Sequence, residues 1–535
     1  MHYAEYYLAV NEWDSREALP PEWGEWPEAW PFYKQLNLRN PIDTPRTNEP
    51  VEVDVEFYAD QVSDLAREVR VVEVASDSGP LREVPSQVHS VFAEDEAHYC
   101  RLFFLADLGP QQRKTYLIFY GNPDCAPPTY ETDLEICGEA YALDIENSYY
   151  RVELARSMGQ LKSLFFKQGT ASYVGHGPPM SGGHGVESTI HWNPDWSDAH
   201  AGRYRVTNWP KPPHYEVVRG PVCLRLRRWG HPILALGPAV GQPHKVVATI
   251  TYTFYASTPY FLMESRLEAV EEVEFLDCRN DEWVGGMEPC LPEAAWMTRE
   301  GEIGFGSKSW RQNPAWMSFY NRETGDGFAT LGLDYECTHP SWPEPANVAI
   351  SNPYWDRCPL LNTLMRRGDF ISERNAYLVH RYEPPREHGF GMLMDYYRIL
   401  SSPLVQEEPP LATRPLTVAN VLDALRSCYD TEVYTRSRLR PRDTRRKRLS
   451  VVDLGLVRRV DIAGDRVRIA LVLPYEGRQT WFGYYASTME EQILQRIAGV
   501  AAVEVEQVRE PSWRPEQMKL KAQRWLGLLA SGAER

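Results

Sequence analysis

The sequence lacks any run of 18 consecutive apolar residues among its 535, so no membrane-spanning helix is expected. It opens without a basic stretch leading into an apolar one; no secretion leader is expected, and the cytoplasm is the expected compartment. No Cys-x-x-Cys pair occurs. The nine cysteines are scattered and odd in number, which suits free thiols in a reducing compartment better than a disulfide framework or a structural zinc site. Positive charge is in deficit: the net charge of −17 argues against general nucleic-acid binding and against anionic membranes. Neither a repeat of fixed period nor a β-α-β alternation is present, which sets aside solenoids and doubly wound sheets.

What is present is aromatic and turn-rich. Seventeen tryptophans, 30 tyrosines, 42 prolines and 35 glycines describe many short strands joined by turns. The length calls for several domains. The reading is a multidomain, mainly β protein. A Trp/Pro-rich wrapping segment over 1–50 precedes an antiparallel sandwich over 51–140 and a large β domain over 141–400. A proline-rich linker over 401–417 leads to a small α/β domain over 418–535, in the order α-β-β-α-β. Val51–Ala59 alternates strictly, and the runs starting at Val246 and Tyr260 read as strands in a block where period-2 alternation dominates. In the last region Val418, Val421, Leu422 and Leu425 recur at helical spacing. Ser487, with Glu490 three residues on, predicts the start of a second helix.

Three ordered motifs mark that last region: Asp430-Thr431-Glu432, Val452-Asp453-Leu454-Gly455-Leu456, and Trp513-Arg514-Pro515 running on to Met518. Together they resemble the PaaD/SufT-type metal–sulfur cluster assembly family. The resemblance implies a compact α/β domain and carries Asp430, Glu432, Asp453, Gly455, Trp513 and Pro515 as motif residues. The family's loop cysteine is missing: Leu473–Thr488 contains tyrosines and a tryptophan instead, and Cys428 is the region's one thiol. A thiolate is the natural ligand of iron, so a docking module, with a protein partner, is expected rather than cluster chemistry. A basic insert holds eight Lys/Arg between Arg436 and Arg448 and reads as a solvated loop or a docking loop.

The large β domain contains Ile145-Glu146-Asn147, Tyr150-Arg151-Val152 and Gly159-x-Leu161-x-Ser163-Leu164-x-x-Lys167. This pattern resembles the opening of mutarotase-like supersandwich domains in glycosidases and polysaccharide lyases, and Tyr116–Pro123 resembles the end of sandwich modules in exo-rhamnogalacturonan-lyase-type proteins. The resemblance implies a saccharide or glycoside ligand. The residues agree, because sugars stack their C–H faces on rings and need planar polar partners. His176, His184, His191, His200 and His214 with Trp192, Trp196 and Trp209 crowd the stretch Gly175–Tyr215, and loops on sandwiches carry sites. No His-x-His or His-x-x-x-His spacing occurs there, so a divalent metal is an option without support, no metal ligand is assigned and the cofactor stays undetermined.

For β-elimination beside a uronate, a base and a carboxylate-neutralising arginine are needed; His191, Tyr204, Arg203, Arg279 and Tyr354 have the right chemistry. For hydrolysis two carboxyls are needed, from Glu187, Asp195, Asp198, Glu282 and Asp356. His191, Tyr204, Arg279, Glu282 and Tyr354 are the catalytic candidates. Trp192, Trp196, Arg203, Trp209, Trp283, Trp355 and Arg357 are the substrate-binding ones. Asp281 and Glu282 are neighbours on a strand and must face opposite sides, so at most one is catalytic. The expected function is a carbohydrate-active lyase, or a hydrolase. The rivals are a metal–sulfur assembly adaptor and a noncatalytic sugar-binding scaffold.

Overall fold

The computed structural model describes residues 8–10, 13–16, 19, 23–74, 81–94, 97–156, 158–167, 195–205, 214–236, 244–284, 291–351, 354–407, 414–430, 449–473, 482–519 and 522. The chain is mainly β, and its strands gather into stacked sheets followed by a small mixed unit.

Two sheets form the first sandwich. One orders the strands Leu8–Val10, Arg46–Tyr58, Ala97–Leu108 and Ser86–Glu94; the other centres on Phe32–Arg39 and Arg113–Tyr120. The alternation of Val51, Val53, Val55 and Phe57 puts all four into the shared core. Sheet structure begins earlier than the boundary expected at residue 51, since Phe32–Arg39 lies within the segment read as wrapping. The tryptophans do anchor their segment: Trp26 stacks on Phe119 with ring centroids 5.2 Å apart, and Trp23 and Trp30 pack on the same small cluster.

A nine-stranded antiparallel sheet forms the floor of the next sandwich, with Val246–Tyr255, Tyr260–Ala269, Phe370–Arg381 and Asp326–Cys337 at its centre. Three smaller sheets share a core with it. The helix Gly391–Ser401 covers the floor's other face through Leu393 and Met394. Glu52 of the first sandwich accepts from Arg225 of the floor at 2.9 and 3.1 Å and from Arg101 at 3.2 Å. Burial alone would raise its carboxyl, but these guanidiniums, Arg225 foremost, hold it at about 2.

The segment read as a free linker is partly structured. Val405–Glu407 adds a strand beside Phe32–Arg39, Leu404 is buried in the first core, and Glu407 is held by Arg39 and Arg113. Proline density hid a short strand that needs only three residues and one exposed edge.

The last unit has its own core. Its helix Val418–Leu425 is capped by the Thr417 hydroxyl. Strands Val457–Ala463 and Arg466–Val472 pair antiparallel, and Ala502–Val508 joins the second in parallel across the helix Phe482–Arg496. That helix starts five residues before Ser487, so the expected cap is interior; buried Tyr485, in phase with Met489 and Ile493, extends the apolar face backwards. The unit contacts the first sandwich. Tyr58 donates its hydroxyl to Asp423 at 2.5 Å, Arg426 lies 4.5 Å over the Tyr58 ring, and Arg414 bonds both Asp423 and the Trp13 carbonyl.

The described motif residues of this unit have folding roles. Asp430 accepts the buried Tyr485 hydroxyl at 2.5 Å. Asp453 accepts from the Ser450 backbone and hydroxyl at 2.9 and 2.8 Å. The Trp513 indole donates to the Leu454 carbonyl at 2.9 Å, and Pro515 opens a short 3-10 turn. Cys428 is buried in the core. Glu432 and the basic insert Arg436–Arg448 lie outside the described residues. Gly455 has φ +63°, and a Cβ there would sit 2.1 Å from the Gln517 carbonyl oxygen. Gly455→Ala is therefore expected to destabilise this unit by about 1–3 kcal/mol, read as an earlier thermal transition.

Candidate functional site

The site forms where strands cross from one sheet to another. Val273–Arg279 ends in the five-stranded sheet; after Asn280 the chain continues as Asp281–Val284 at the edge of a four-stranded one. Tyr354–Cys358 and Leu360–Met365 make the matching passage beside it. Strand parity then sorts the side chains. In the register Asp281 faces Arg357, Glu282 faces Asp356, Trp283 faces Trp355 and Val284 faces Tyr354. Alternate pairs point to opposite sides.

On one side Glu282 and Asp356, like charges directly opposite one another, meet Arg279 and Tyr354. Arg279 donates to Glu282 at 2.8 Å and lies 3.8 Å from Asp356; the Tyr354 hydroxyl donates to Glu282 at 3.0 Å. Asp195, across the strand ladder from Arg279, is bound through two nitrogens of Arg203 at 3.2 and 2.7 Å. The carboxyls lie deep and the arginines reach outward: Glu282 is 3% exposed and Asp356 11%, against 32% for Arg279 and 30% for Arg203. Asp195, Glu282 and Asp356 would carry three negative charges against two guanidiniums, so the cluster favours holding a proton. Burial first, then Glu282, pushes Asp356 up to about 7 against the pull of Arg279. The same two causes raise Asp195 to about 6. Burial, then Asp356 and Glu282, also raises Tyr354 far above the ordinary phenol range, so its hydroxyl donates and does not serve as a base.

The hairpin that presents Asp195 and Arg203 is held from behind. Asp198 closes its turn by accepting the His200 and Ala201 amides at 2.7 and 3.1 Å. The Trp196 indole, a donor only, gives its proton to His244 Nδ1 at 3.1 Å; His244 Nε2 therefore carries the proton directed at Asp198, 3.0 Å away.

Several expected site residues are placed elsewhere. Trp196, Trp283 and Trp355 are fully buried and present no ring face to a ligand; the last two pack on each other with centroids 5.5 Å apart, among Phe319, Phe328 and Tyr377. They fall on the core side of their strands. Arg357 is wholly buried too, paired with Asp281 rather than with its neighbour Asp356 or a ligand. Tyr204 is buried against the His244 ring. His191, Trp192, Trp209 and Glu187 lie outside the described residues. Arg203, Arg279, Glu282 and Tyr354 do come together, joined by Asp195 and Asp356. Among the described residues no group of His, Cys, Asp and Glu could hold a metal ion, the eight described cysteines are free thiols, and no helix is long and apolar enough to cross a membrane.

The raised carboxyls make stability depend on pH. Asp356 and Glu373 at about 7, and Asp195 at about 6, bind protons more tightly folded than unfolded, where carboxyls titrate near ~4. Their contribution is whole below about pH 4 and is lost as pH rises to about 7. The melting temperature is expected to fall between pH 5 and 8, and Asp356→Asn to flatten that fall.

No protein-family model matches this sequence, and no curated protein matches it. Solved structures do match. A glycosyl hydrolase family 38 protein from Enterococcus faecalis is 10% identical with a TM-score of 0.43, covering 74% of this chain and 48% of its own. The chain thus spans about half the length of that protein. An α-galactosidase from Lactobacillus brevis is 8% identical with a TM-score of 0.30, covering 53% of this chain and 43% of its own. A galactose mutarotase-like protein from Lactobacillus casei is 10% identical with a TM-score of 0.27, covering 46% of this chain and all of its own.

Proposed function

We propose that this chain is a carbohydrate-active enzyme that uses Asp356 as proton donor and Glu282 as base on a saccharide or glycoside. One observation carries the reading: two carboxyls stand directly opposite on neighbouring strands, with Asp356 raised to about 7 beside Glu282. An enzyme that delivers a proton at neutral pH needs a carboxyl that still holds it there. Arg279 steadies the charge of Glu282, Arg203 keeps further N–H donors for sugar hydroxyls, and the Tyr354 oxygen can accept from one.

Hydrolysis fits this pair better than β-elimination, because Tyr354 is unsuited to taking a proton from carbon. The lyase reading keeps one support: Arg203 and Arg279 are each about one-third exposed and could face a uronate carboxylate. A panel of neutral and uronate-containing oligosaccharides and aryl glycosides separates the two. New reducing ends or released aglycone are expected; the ultraviolet absorbance of an unsaturated uronate would favour the lyase, and no turnover or binding of any member would end both.

The region over 418–535 we read as a separate docking domain of PaaD/SufT-like form, with the linker and β domains before it divided as the sequence suggests. Its motif residues serve packing, and its Asp423 and Arg426 engage Tyr58. The partner we assign it is the chain's own first sandwich. Iron–sulfur reconstitution that yields a coloured protein would contradict this.

A further inference from the structure

The hairpin that carries Asp195 and Arg203 is gripped on its inner face by one ring. Asp195–Asp198 and Gly202–Arg205 pair so that Asp195 and Arg203 point to the site, while their chain neighbours Trp196 and Tyr204 point into the core. His244, 2% exposed, meets both of those neighbours. It takes the Trp196 indole proton at Nδ1, 3.1 Å away. Its ring centroid lies 3.9 Å from that of Tyr204, which itself stacks on Trp196. Its Nε2 proton goes to Asp198, the residue that closes the hairpin turn. The His244 backbone is tied as well: its N–H donates to the Pro232 carbonyl at 2.8 Å, and its carbonyl accepts from His231 Nδ1 at 2.9 Å.

This grip matters because the backbone ladders falter beside it. The pairing of Asp195–Asp198 with Val273–Arg279 shifts register between Ser197 and Asp198. The pairing of Gly202–Arg205 with Leu234–Leu236 shifts between Arg203 and Tyr204. A register shift lets a strand bend and re-aim its side chains. Arg203 stands at such a shift, so side-chain contacts on the inner face must set its direction, and those contacts converge on His244.

We propose that His244 is a positioning residue for the candidate site: as the neutral Nε2–H tautomer it fixes the inner face of the hairpin, and with it the places of Arg203 and Asp195 on the outer one. Only that tautomer serves. The Trp196 indole is a donor only, so a proton on Nδ1 would set N–H against N–H and release the indole. The groups facing the ring are Asp198, Lys245, His231 and Tyr204. Burial, the largest influence, holds His244 below its ordinary range; Asp198 pulls the other way, and Lys245 and His231 add to the lowering. The clamp is therefore closed at neutral pH and opens on the acid side of about 6.5, the ordinary histidine value. Opening frees Arg203 to leave Asp195. Arg203 is one of the charges that lower Asp195, so its departure drives the Asp195 carboxyl further up. The consequence for turnover rests on the acid–base reading of Glu282 and Asp356; the consequence for Asp195 does not.

Nitrogen-15 histidine spectra of the wild type at neutral pH are expected to show a residue with Nε2 protonated and Nδ1 bare, whose signals vanish in His244→Gln. The opposite tautomer for that residue overturns the proposal, and this reading needs no folded His244→Leu. In carboxyl-¹³C aspartate spectra, Asp195→Asn identifies the resonance titrating at about 6. That resonance is expected to gain roughly tenfold in proton affinity in His244→Leu. It is expected to stay near wild type in His244→Gln, whose amide offers a donor and an acceptor but does not titrate. An unmoved Asp195 in His244→Leu overturns the proposal. With a glycoside that is turned over, His244→Leu is expected to raise KM about tenfold with kcat much less affected, because Glu282 and Asp356 stay in place, and His244→Gln to recover most of that loss. A loss confined to thermal stability, with KM unchanged, overturns the positioning role. If no glycoside is turned over while Asp195 still moves, the acid–base reading falls and the role of His244 stands.

Discussion

Glu282→Gln is expected to lower turnover of the responsive glycoside by about 10²–10⁴-fold while leaving the melting curve close to wild type. The amide keeps the shape and can still accept from Arg279 and Tyr354, so the packing around it survives. What it loses is the capacity to take a proton. Asp356→Asn is expected to cost a comparable factor and to remove the alkaline limb of the pH–rate profile, because Asp356 must hold its proton to act and releases it near 7. Initial rates across pH 4.5–9 for the three proteins check both statements. A Glu282→Gln enzyme with unchanged kcat/KM would place the chemistry elsewhere.

The second large effect lies on the opposite face. Arg357→Leu is expected to destabilise the protein by about 3–5 kcal/mol, because it leaves the Asp281 carboxylate charged and without its cation in a fully buried position. Asp281→Leu should cost a similar amount by stranding Arg357. The double replacement should cost less than the sum of the two, since the expensive state is one charge without the other. Chemical denaturation of the four proteins measures that coupling. Additive losses would show that the pair is not energetically joined.

These two faces explain how much of the site was legible in the sequence. Parity along Asp281-Glu282 is local and absolute, so the separation of the two carboxyls to opposite faces could be read directly. Which face looks outward could not. The neighbours that decide it, Asp195, Asp356 and Tyr377, arrive from strands up to 96 residues away. The same gap misassigned Trp283 and Trp355: composition marks a tryptophan as suited to a sugar or to a core, and only the register places these two inside. Arg357 was misread for a related reason, since its sequence neighbour Asp356 points away from it and its true partner sits across the ladder.

The fold was legible where periodicity is strong. The strands near Val51, Val246 and Tyr260 and the helix Val418–Leu425 all show it. It failed where a polar residue imitated a boundary, as at Ser487, and where a three-residue strand, Val405–Glu407, lies too short for any period to register.

The central claim is that one carboxyl of the opposed pair holds its proton near neutrality, and selective carboxyl-¹³C labelling of aspartate tests it without knowledge of the substrate. A resonance titrating at about 7 is expected, and it is expected to disappear in Asp356→Asn. If no resonance lost in that variant titrates above the ordinary aspartate range, near ~4, the acid–base assignment is wrong.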